Sequence, residues 1–174
     1  MNIILCGPPF TGKTTLGRLV AEQLQCEFKD TDHLLEKCYA KEKNIQMSCR
    51  EIYRQEGEEI FRHYESRAVA SLQDSQRCVI ALGGGCLNKT NSPLIKKLGS
   101  LLYIKTSLDI LQKRLHSMAL PAYLEKEKNP QEAYKKIVEA RSIFYEKYAD
   151  RIIDADSLSQ FQIITIISKV YYGQ

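Results

Sequence analysis

The sequence contains no apolar run that approaches the ~20 residues of a membrane-spanning helix. It also has no charged leader followed by a small-residue cleavage site. Its six cysteines include no C-x-x-C pair, and its three histidines are not spaced with them as metal ligands. Repeats, low-complexity segments and Pro/Gly-rich linkers are missing too. These absences predict a cytoplasmic protein with no membrane partner, reduced thiols, and neither a structural zinc site nor a disulfide framework.

The charge balance excludes a further class of partner. The net charge is only +4, and no basic stripe or aromatic-interleaved cluster of lysine and arginine accompanies it. Nucleic acid is therefore not expected as a partner, and small acidic ligands fit better. With 174 residues, 44% of them hydrophobic and 26% charged, the chain resembles one ordinary globular domain. We expect a single domain, residues 1–174, that acts as a monomer.

Short apolar runs alternate along the chain with stretches of helical period. The predicted strands lie at residues 2–6, 27–29, 78–82, 101–104 and 151–153. The predicted helices lie at about 13–25, 32–41, 48–55, 57–74, 91–98, 107–115, 131–148 and 158–171. Strands separated by helices of this length are typical of a parallel sheet covered on both faces. The pattern therefore predicts an α/β sandwich with five strands.

One stretch, residues 116–130 with the sequence HSMALPAYLEKEKNP, interrupts this alternation. Its two prolines and its charged run EKEK fit an exposed connection between two helices. A long insert between helices of a compact domain is uncommon without a role, so a mobile lid is the other interpretation. The phosphate loop described next favours the lid.

The strongest motif is GPPFTGKTT at residues 7–15, which fits G-x-x-x-x-G-K-[ST]. It follows a predicted strand and opens a predicted helix. Its glycines let backbone N–H groups turn toward an anion, and the helix N-terminus adds unpaired donors. Lys13 is predicted to reach the β- and γ-phosphates of a nucleoside triphosphate, and Thr14 to ligate Mg²⁺. The predicted nucleotide-binding residues of this loop are Gly7, Pro8, Pro9, Phe10, Thr11, Gly12, Lys13, Thr14 and Thr15.

Two other features follow predicted strands, at the edge where open parallel sheets bind ligands. In an extended segment the side chains of Asp30 and Asp32 point to one face. One carboxylate could then hold a metal-bound water, and the other could orient or deprotonate an acceptor hydroxyl. Capping of the next helix by Thr31 or Asp32 is an equally good interpretation and excludes neither role. Residues 83–85 are three consecutive glycines, which predict backbone N–H groups donated to a ligand rather than a plain turn.

Taken in order, the motifs resemble those of the shikimate kinase family. They are GxxxxGKT, the D-x-D after the second strand, E-G-E-x-x-F-R, a strand ending in G-G-G, and A-R-x-x-x-Y after the lid. The resemblance covers roughly residues 1–155. It implies a fold of the nucleoside-monophosphate-kinase type, a three-layer α/β/α sandwich with sheet order 2-3-1-4-5. It also implies substrate-binding helices at about 32–75 and a lid at about 116–130.

The resemblance further implies transfer of the γ-phosphate of ATP to the 3-hydroxyl of shikimate, on the chorismate route to aromatic amino acids. ATP and Mg²⁺ would then be required, and shikimate would be the small-molecule partner. Lys13 and Asp32 would be the catalytic residues, with Asp32 as the base. Thr14 and Asp30 would serve the metal, Asp30 through water, and Arg114 would stack on adenine.

On the acceptor side, the resemblance implies that Arg62 and Arg141 bind the shikimate carboxylate, for which a guanidinium fork is well shaped. Taken alone, each of these arginines is better explained by surface ion pairs with its neighbouring carboxylates. Glu65 would hold an arginine in position. Asp32 would also bind the shikimate hydroxyls. The glycines implied in substrate binding are Gly83, Gly84 and Gly85.

The lid departs from the family pattern, which usually has Arg-Pro-Leu where this chain has Leu120, Pro121 and Ala122. Loss of a cation at the transition state costs several kcal/mol in comparable enzymes. Either Lys126 or Lys128 substitutes, or turnover is slow, or activity is lost. Because every other ligand of the set is present, substitution by a lysine is the favoured interpretation.

Two alternative functions stay open. A gluconate-like kinase of the same fold would share the phosphate loop, but not the combined D-x-D, F-R and G-G-G set. A nucleotide-binding regulator with an impaired lid would bind both ligands without producing ADP.

Overall fold

The structure, a computed structural model, describes residues 1–173. Its strands are β1 (Asn2–Cys6), β2 (Glu27–Asp30), β3 (Cys78–Ala81), β4 (Gly99–Lys105) and β5 (Arg151–Asp154). Its α-helices are α1 (Lys13–Gln23), α2 (Thr31–Lys43), α3 (Cys49–Ala70), α4 (Ser92–Leu98), α5 (Leu108–Ser117), α6 (Pro130–Tyr148) and α7 (Gln160–Tyr171). The strands form one parallel sheet in the order β2-β3-β1-β4-β5. This confirms the predicted fold class and sheet order.

The central strand β1 shows why the chain folds in three layers. Consecutive side chains of a strand point to opposite faces of the sheet. Ile3 and Leu5 pack into a core shared with α1 and α7, whereas Ile4 and Cys6 pack into a second core shared with α3, α4 and α6. Since all four side chains are fully buried, helices must cover both faces, as is usual for parallel sheets.

Helix α3 is interrupted at one glycine. The sequence predicts two helices, at 48–55 and 57–74, and the structure contains a continuous element with non-helical backbone at Gly57 (φ 80°, ψ −180°). A positive φ of this kind favours glycine. The first segment begins at a capping box formed by Ser48 and Glu51. The two predicted segments are therefore present, although the second ends at Ala70.

The predicted lid is shorter than residues 116–130, because α5 extends to Ser117 and α6 begins at Pro130. Between them lies a 3-10 helix, Ala122–Leu124. Leu124 is fully buried among side chains of α5 and α6, including Leu111 and Tyr134. The lid thus has its own apolar anchor between α5 and α6.

All six cysteines are free thiols. Cys6, Cys78 and Cys86 are buried, and burial raises the pKa of the Cys6 thiol to about 12. In residues 1–173, no group of three or more His, Cys, Asp or Glu side chains is arranged to hold a metal ion. Within the same range, no helix combines the length and apolar character needed to cross a membrane.

Candidate active site

The carboxyl ends of β1, β2 and β3 open into a cavity of about 540 Å³. Small-molecule sites usually measure roughly 300–1,000 Å³. The cavity walls include the phosphate loop, the start of α2, residues of α3 from Cys49 to Glu65, the glycine triplet, the lid and α6. The structure therefore brings together segments that are far apart in the chain.

The phosphate loop leaves the N-terminus of α1 open to an anion. Gly12 occupies the cap position with φ 87°, no side chain caps the helix, and its first turn contains no acidic residue. Lys13 is buried, and its Nζ donates to the carbonyl oxygen of Pro8 at 2.8 Å. Burial lowers the pKa of Lys13 to about 8, against the opposing charge of Asp32. Phosphate oxygens at this position would restore the preference of Lys13 for its charged form.

Two side chains from other elements hold the phosphate loop in place. The hydroxyl of Tyr134 donates to the carbonyl of Pro9 at 2.8 Å, and Arg114 Nη1 donates to the carbonyl of Phe10 at 2.7 Å. The rings of Phe10 and Tyr134 lie 5.9 Å apart, centroid to centroid. Arg114 therefore lies beside the nucleotide loop, and its stacking on adenine stays a prediction.

Asp30 and Thr14 meet at the mouth of this loop. Thr14 Oγ1 donates to Asp30 Oδ2 at 2.8 Å, while Asp30 Oδ1 accepts from the backbone N–H of Asp32 at 3.0 Å. A hydroxyl and a carboxylate are oxygen ligands of the kind that Mg²⁺ prefers, and this ion usually retains several waters and phosphate oxygens as its other ligands. The pair therefore fits the predicted metal role.

The same contacts correct one step of the sequence argument. Asp30 is the last residue of β2 and the N-cap of α2, and Thr31 and Asp32 already belong to the helix. The expectation that Asp30 and Asp32 share an extended segment is wrong, and so is the expectation that Thr31 or Asp32 is the cap. The physical reason is that the Asp30 carboxylate satisfies a free N–H of the first helical turn, which allows α2 to begin at once.

Asp32 lines the cavity and is exposed to it. Desolvation in the cleft raises the pKa of Asp32 from 3.8 to about 7. The negative charges of Asp30 and Glu65 add to this shift, and Lys13 opposes it. A carboxylate with a pKa near the working pH is well matched to accept a proton.

The glycine triplet is held tightly by its surroundings. The N–H of Gly83 donates to Thr31 Oγ1 at 2.7 Å, and the carbonyl of Gly84 accepts from the hydroxyl of Tyr145. The N–H of Gly83 is thus engaged within the protein. Gly84 and Gly85 remain candidates for backbone contacts to a substrate, as predicted.

Close approach also explains why these positions are glycines. A Cβ on Gly84 would lie 2.5 Å from Cδ of Pro9 in the phosphate loop. A Cβ on Gly85 would lie 2.5 Å from Arg62 Nη1 and 3.1 Å from Arg141 Nη2. The triplet therefore separates the nucleotide loop from the two arginines, which converge on its far end.

The two arginines are oriented by different neighbours. Arg62 Nη1 lies 3.0 Å from each carboxylate oxygen of Glu65, which is only 3% exposed. Burial raises the pKa of Glu65 above its usual value, and the charge of Arg62 offsets only part of this shift. On α6, the guanidinium carbon of Arg141 lies 5.5 Å from the ring centroid of Tyr123 in the lid. Glu65 thus contacts Arg62, in keeping with the predicted positioning role, and both guanidinium groups lie beside Gly85.

Sequence reasoning missed several residues that line the cavity, among them Arg50, Tyr53 and Tyr123. The ring of Tyr53 lies 6.3 Å from that of Tyr123, edge to face. Arg50 and Tyr53 are three residues apart on α3, so they share one helix face. That spacing was available as a signal, but only the position of the lid shows which face matters.

The lid lysines do not reach the cavity. Lys126 and Lys128 are exposed and are not among its lining residues. They follow Glu125, whose carboxylate accepts from Arg54 Nε at 2.7 Å and from Nη2 at 2.6 Å. This geometry does not support the interpretation that a lid lysine replaces the missing arginine.

Comparisons with known proteins agree with the site. The family model described as shikimate kinase matches residues 9–171. A shikimate kinase of Streptococcus gordonii is 38% identical over 171 residues, covering 96% of this chain and 98% of the relative. One from Thermodesulfovibrio yellowstonii is 34% identical over 171 residues, covering 98% and 94%.

Among solved structures, a shikimate kinase from Acinetobacter baumannii in complex with shikimate matches with a TM-score of 0.86 at 27% identity. The match covers 99% of this chain and 93% of that one. The relatives indicate the same family as the sequence motifs and the sheet order. The chain belongs to the shikimate kinase family.

Proposed function

We infer that this protein transfers the γ-phosphoryl group of ATP to the 3-hydroxyl of shikimate, giving shikimate 3-phosphate and ADP. Its relatives are shikimate kinases, so an ATP-dependent phosphotransferase is the class of enzyme. The observation that carries the proposal is the layout of one cavity. Lys13 and the open end of α1 lie at one side of Asp32, and the paired Arg62 and Arg141 lie beside the glycine triplet.

The acceptor end suits a small carboxylate that also carries hydroxyl groups. Arg62 and Arg141 provide two guanidinium groups for one carboxylate, with charge-assisted hydrogen bonds on both oxygens. The N–H groups of Gly84 and Gly85 can donate to the hydroxyl groups, and the ionised Asp32 carboxylate can accept from them. A substrate held in this way presents one hydroxyl to Asp32 and the phosphate loop together.

The reaction follows from that placement. The Asp32 carboxylate accepts the proton of the acceptor hydroxyl while the oxygen attacks the γ-phosphorus. The bond from that phosphorus to the bridging oxygen of ADP breaks, and Lys13 with the N–H groups of the loop stabilises the negative charge. Thr14 and Asp30, the latter through water, would hold Mg²⁺, which neutralises phosphate charge when bound.

An ADP-release assay with shikimate, quinate, gluconate and nucleoside monophosphates tests the proposal. We expect turnover with shikimate and a large loss with its methyl ester, because the ester removes the charge that Arg62 and Arg141 bind. Turnover with gluconate alone would reassign the substrate. Binding of ATP without turnover on any acceptor would favour the regulator. Light scattering on the purified protein tests the further proposal that it is a monomer.

A further inference from the structure

Four cationic side chains line the cavity, Lys13, Arg50, Arg62 and Arg141. Lys13 serves the nucleotide in the proposed function, and Arg62 and Arg141 converge on the glycine triplet to bind a carboxylate. Shikimate carries one carboxylate, so its charge is already matched. Arg50 is a fourth cation, and the proposed function assigns it no ligand.

The lid brings no positive charge of its own to the cavity. Its lining residues, 118–123, read MALPAY and are uncharged. Leu120 packs instead against the apolar cluster that anchors the lid. Any cation on the lid side of the substrate must therefore come from another element.

Arg50 is attached to the lid by one contact. Its Nε lies 3.2 Å from Glu125 Oε1. Arg54 meets both oxygens of that carboxylate at 2.6 and 2.7 Å, so Arg54 forms the firmer link between α3 and the lid. This contact of Arg50 uses Nε, so its two Nη groups can donate to a second anion.

The first turn of α3 also contacts the backbone of Asp32. Cys49, next to Arg50, donates its Sγ–H to the backbone carbonyl of Asp32 at 3.3 Å. The Arg50 side chain is 34% exposed and runs from this neighbourhood to Glu125 in the lid. Arg50 therefore belongs to the cavity wall, in a helical turn that contacts both the Asp32 backbone and the lid.

We propose that Arg50 contacts the transferred phosphoryl group and supplies the lid-side positive charge in the transition state. This role rests on the proposed function. The phosphoryl group passes between Lys13 and Asp32 with its negative charge spread over three equatorial oxygens. A preorganised guanidinium at that point stabilises the transition state more than either ground state.

The test compares Arg50→Ala with Arg54→Ala, which removes the other arginine on the same Glu125 carboxylate. For Arg50→Ala we expect kcat to fall about 100-fold or more, with much smaller changes in the two KM values. Added guanidinium ion should restore part of this activity. Arg50→Ala should also lose capture of ADP with aluminium fluoride and shikimate, a complex that imitates the transferred group. Arg54→Ala should raise KM, because the lid is held less firmly, and guanidinium should not rescue it.

Three results would overturn the role of Arg50. The first is an Arg50→Ala variant with nearly unchanged kcat. The second is an equal, unrescued loss in both arginine variants, which would make Arg50 only part of the lid attachment. The third is a kcat loss in a Lys126→Ala, Lys128→Ala double variant that exceeds the loss in Arg50→Ala.

Should Arg50→Ala not fold, Arg50→Lys keeps the charge without the planar fork and should lower kcat at an unchanged melting temperature. A wild-type protein without shikimate-dependent ADP release would instead contradict the proposed function.

Discussion

At the scale of single residues, desolvation shifts the pKa values of two charged groups that line the cavity in opposite directions. It raises the pKa of Asp32 to about 7 and lowers that of Lys13 to about 8. The proposed reaction needs an ionised Asp32 to accept a proton and a protonated Lys13 to bind phosphate. Between the two values both groups are largely in the required form.

We therefore predict a bell-shaped pH profile for kcat/KM, with an acid limb near pH 7 and an alkaline limb near pH 8. Activity falls below the first value because Asp32 becomes protonated, and above the second because Lys13 loses its proton. The phosphates of bound ATP favour charged Lys13, so the alkaline limb should move upward in the profile of kcat. Initial rates with both substrates below saturation measure the first profile. An acid limb close to the ordinary carboxyl value of 3.8 would contradict the assignment of Asp32 as base.

Arg62 provides a second prediction, because its two carboxylate partners differ in burial. Glu65 is buried and meets Arg62 Nη1 at 3.0 Å, whereas Glu58 is 64% exposed on its side chain and lies 3.4 Å from Nη2. Glu65→Gln should raise KM for shikimate about tenfold, since loss of a charge-assisted contact releases the guanidinium. Glu58→Gln is the matched control and should change KM by less than about twofold.

Steady-state kinetics on both variants, with shikimate varied at saturating ATP, check this difference. Equal effects of the two substitutions on KM would show that Glu65 does not position Arg62. A loss confined to kcat would place Arg62 in the chemical step rather than in binding.

At the scale of elements, the turn after β3 makes two different contacts through neighbouring glycines. We predict that Gly84→Ala chiefly raises KM for ATP, because the new Cβ would lie 2.5 Å from Pro9 in the phosphate loop. Gly85→Ala should chiefly raise KM for shikimate, because its Cβ would displace Arg62 and Arg141. Titration calorimetry with each ligand separates the two effects. A uniform loss of both affinities in both variants would mean that the whole turn, rather than one contact, had moved.

The elements themselves were largely predictable, and the exceptions have local causes. Apolar strands between helical stretches suffice to indicate a covered parallel sheet, and Gly57 marks the break in α3 as a glycine within a helical pattern often does. The hydrophobic pattern alone did not predict that α2 begins at Thr31, directly after Asp30. Side-chain capping by Asp30 starts α2 directly at the end of β2. Asp30, Thr31 and Asp32 are all good capping residues, so residue preference alone does not show which of them caps the helix.

The residues missed in the cavity depend on contacts between distant segments. Arg50 contacts Glu125, 75 positions further along the chain. The sequence around Arg50 gives no sign of this contact. Lys126 and Lys128 are close to the lid in sequence, but Glu125 is bound to α3 and leaves them outside the cavity. Sequence adjacency therefore pointed to two lysines that lie outside the cavity, because tertiary ion pairs attach Glu125 to α3.

At the scale of the whole molecule, the same electrostatics that prepare the base work against the stability of the fold. The pKa of Asp32 is raised from 3.8 to about 7 on folding, so the folded chain binds this proton more tightly than the unfolded chain does. The ionised carboxylate thus destabilises the fold. By linkage, the destabilisation is absent below pH 3.8, grows as pH rises toward 7, and stays constant above that value.

Asp32→Asn should therefore raise the melting temperature above pH 7 while lowering kcat by about 100- to 10,000-fold, the usual share of a general base. The gain in melting temperature should shrink as pH is lowered from 7 toward 3.8, where wild-type Asp32 is itself neutral in both states. Glu22→Gln, on the exposed face of α1, removes the same charge and serves as the control with no such trend. Calorimetric scans of the three proteins across this range measure the effect. A gain that did not vary with pH would arise from packing, and the opposition between catalysis and stability at Asp32 would then have no electrostatic origin.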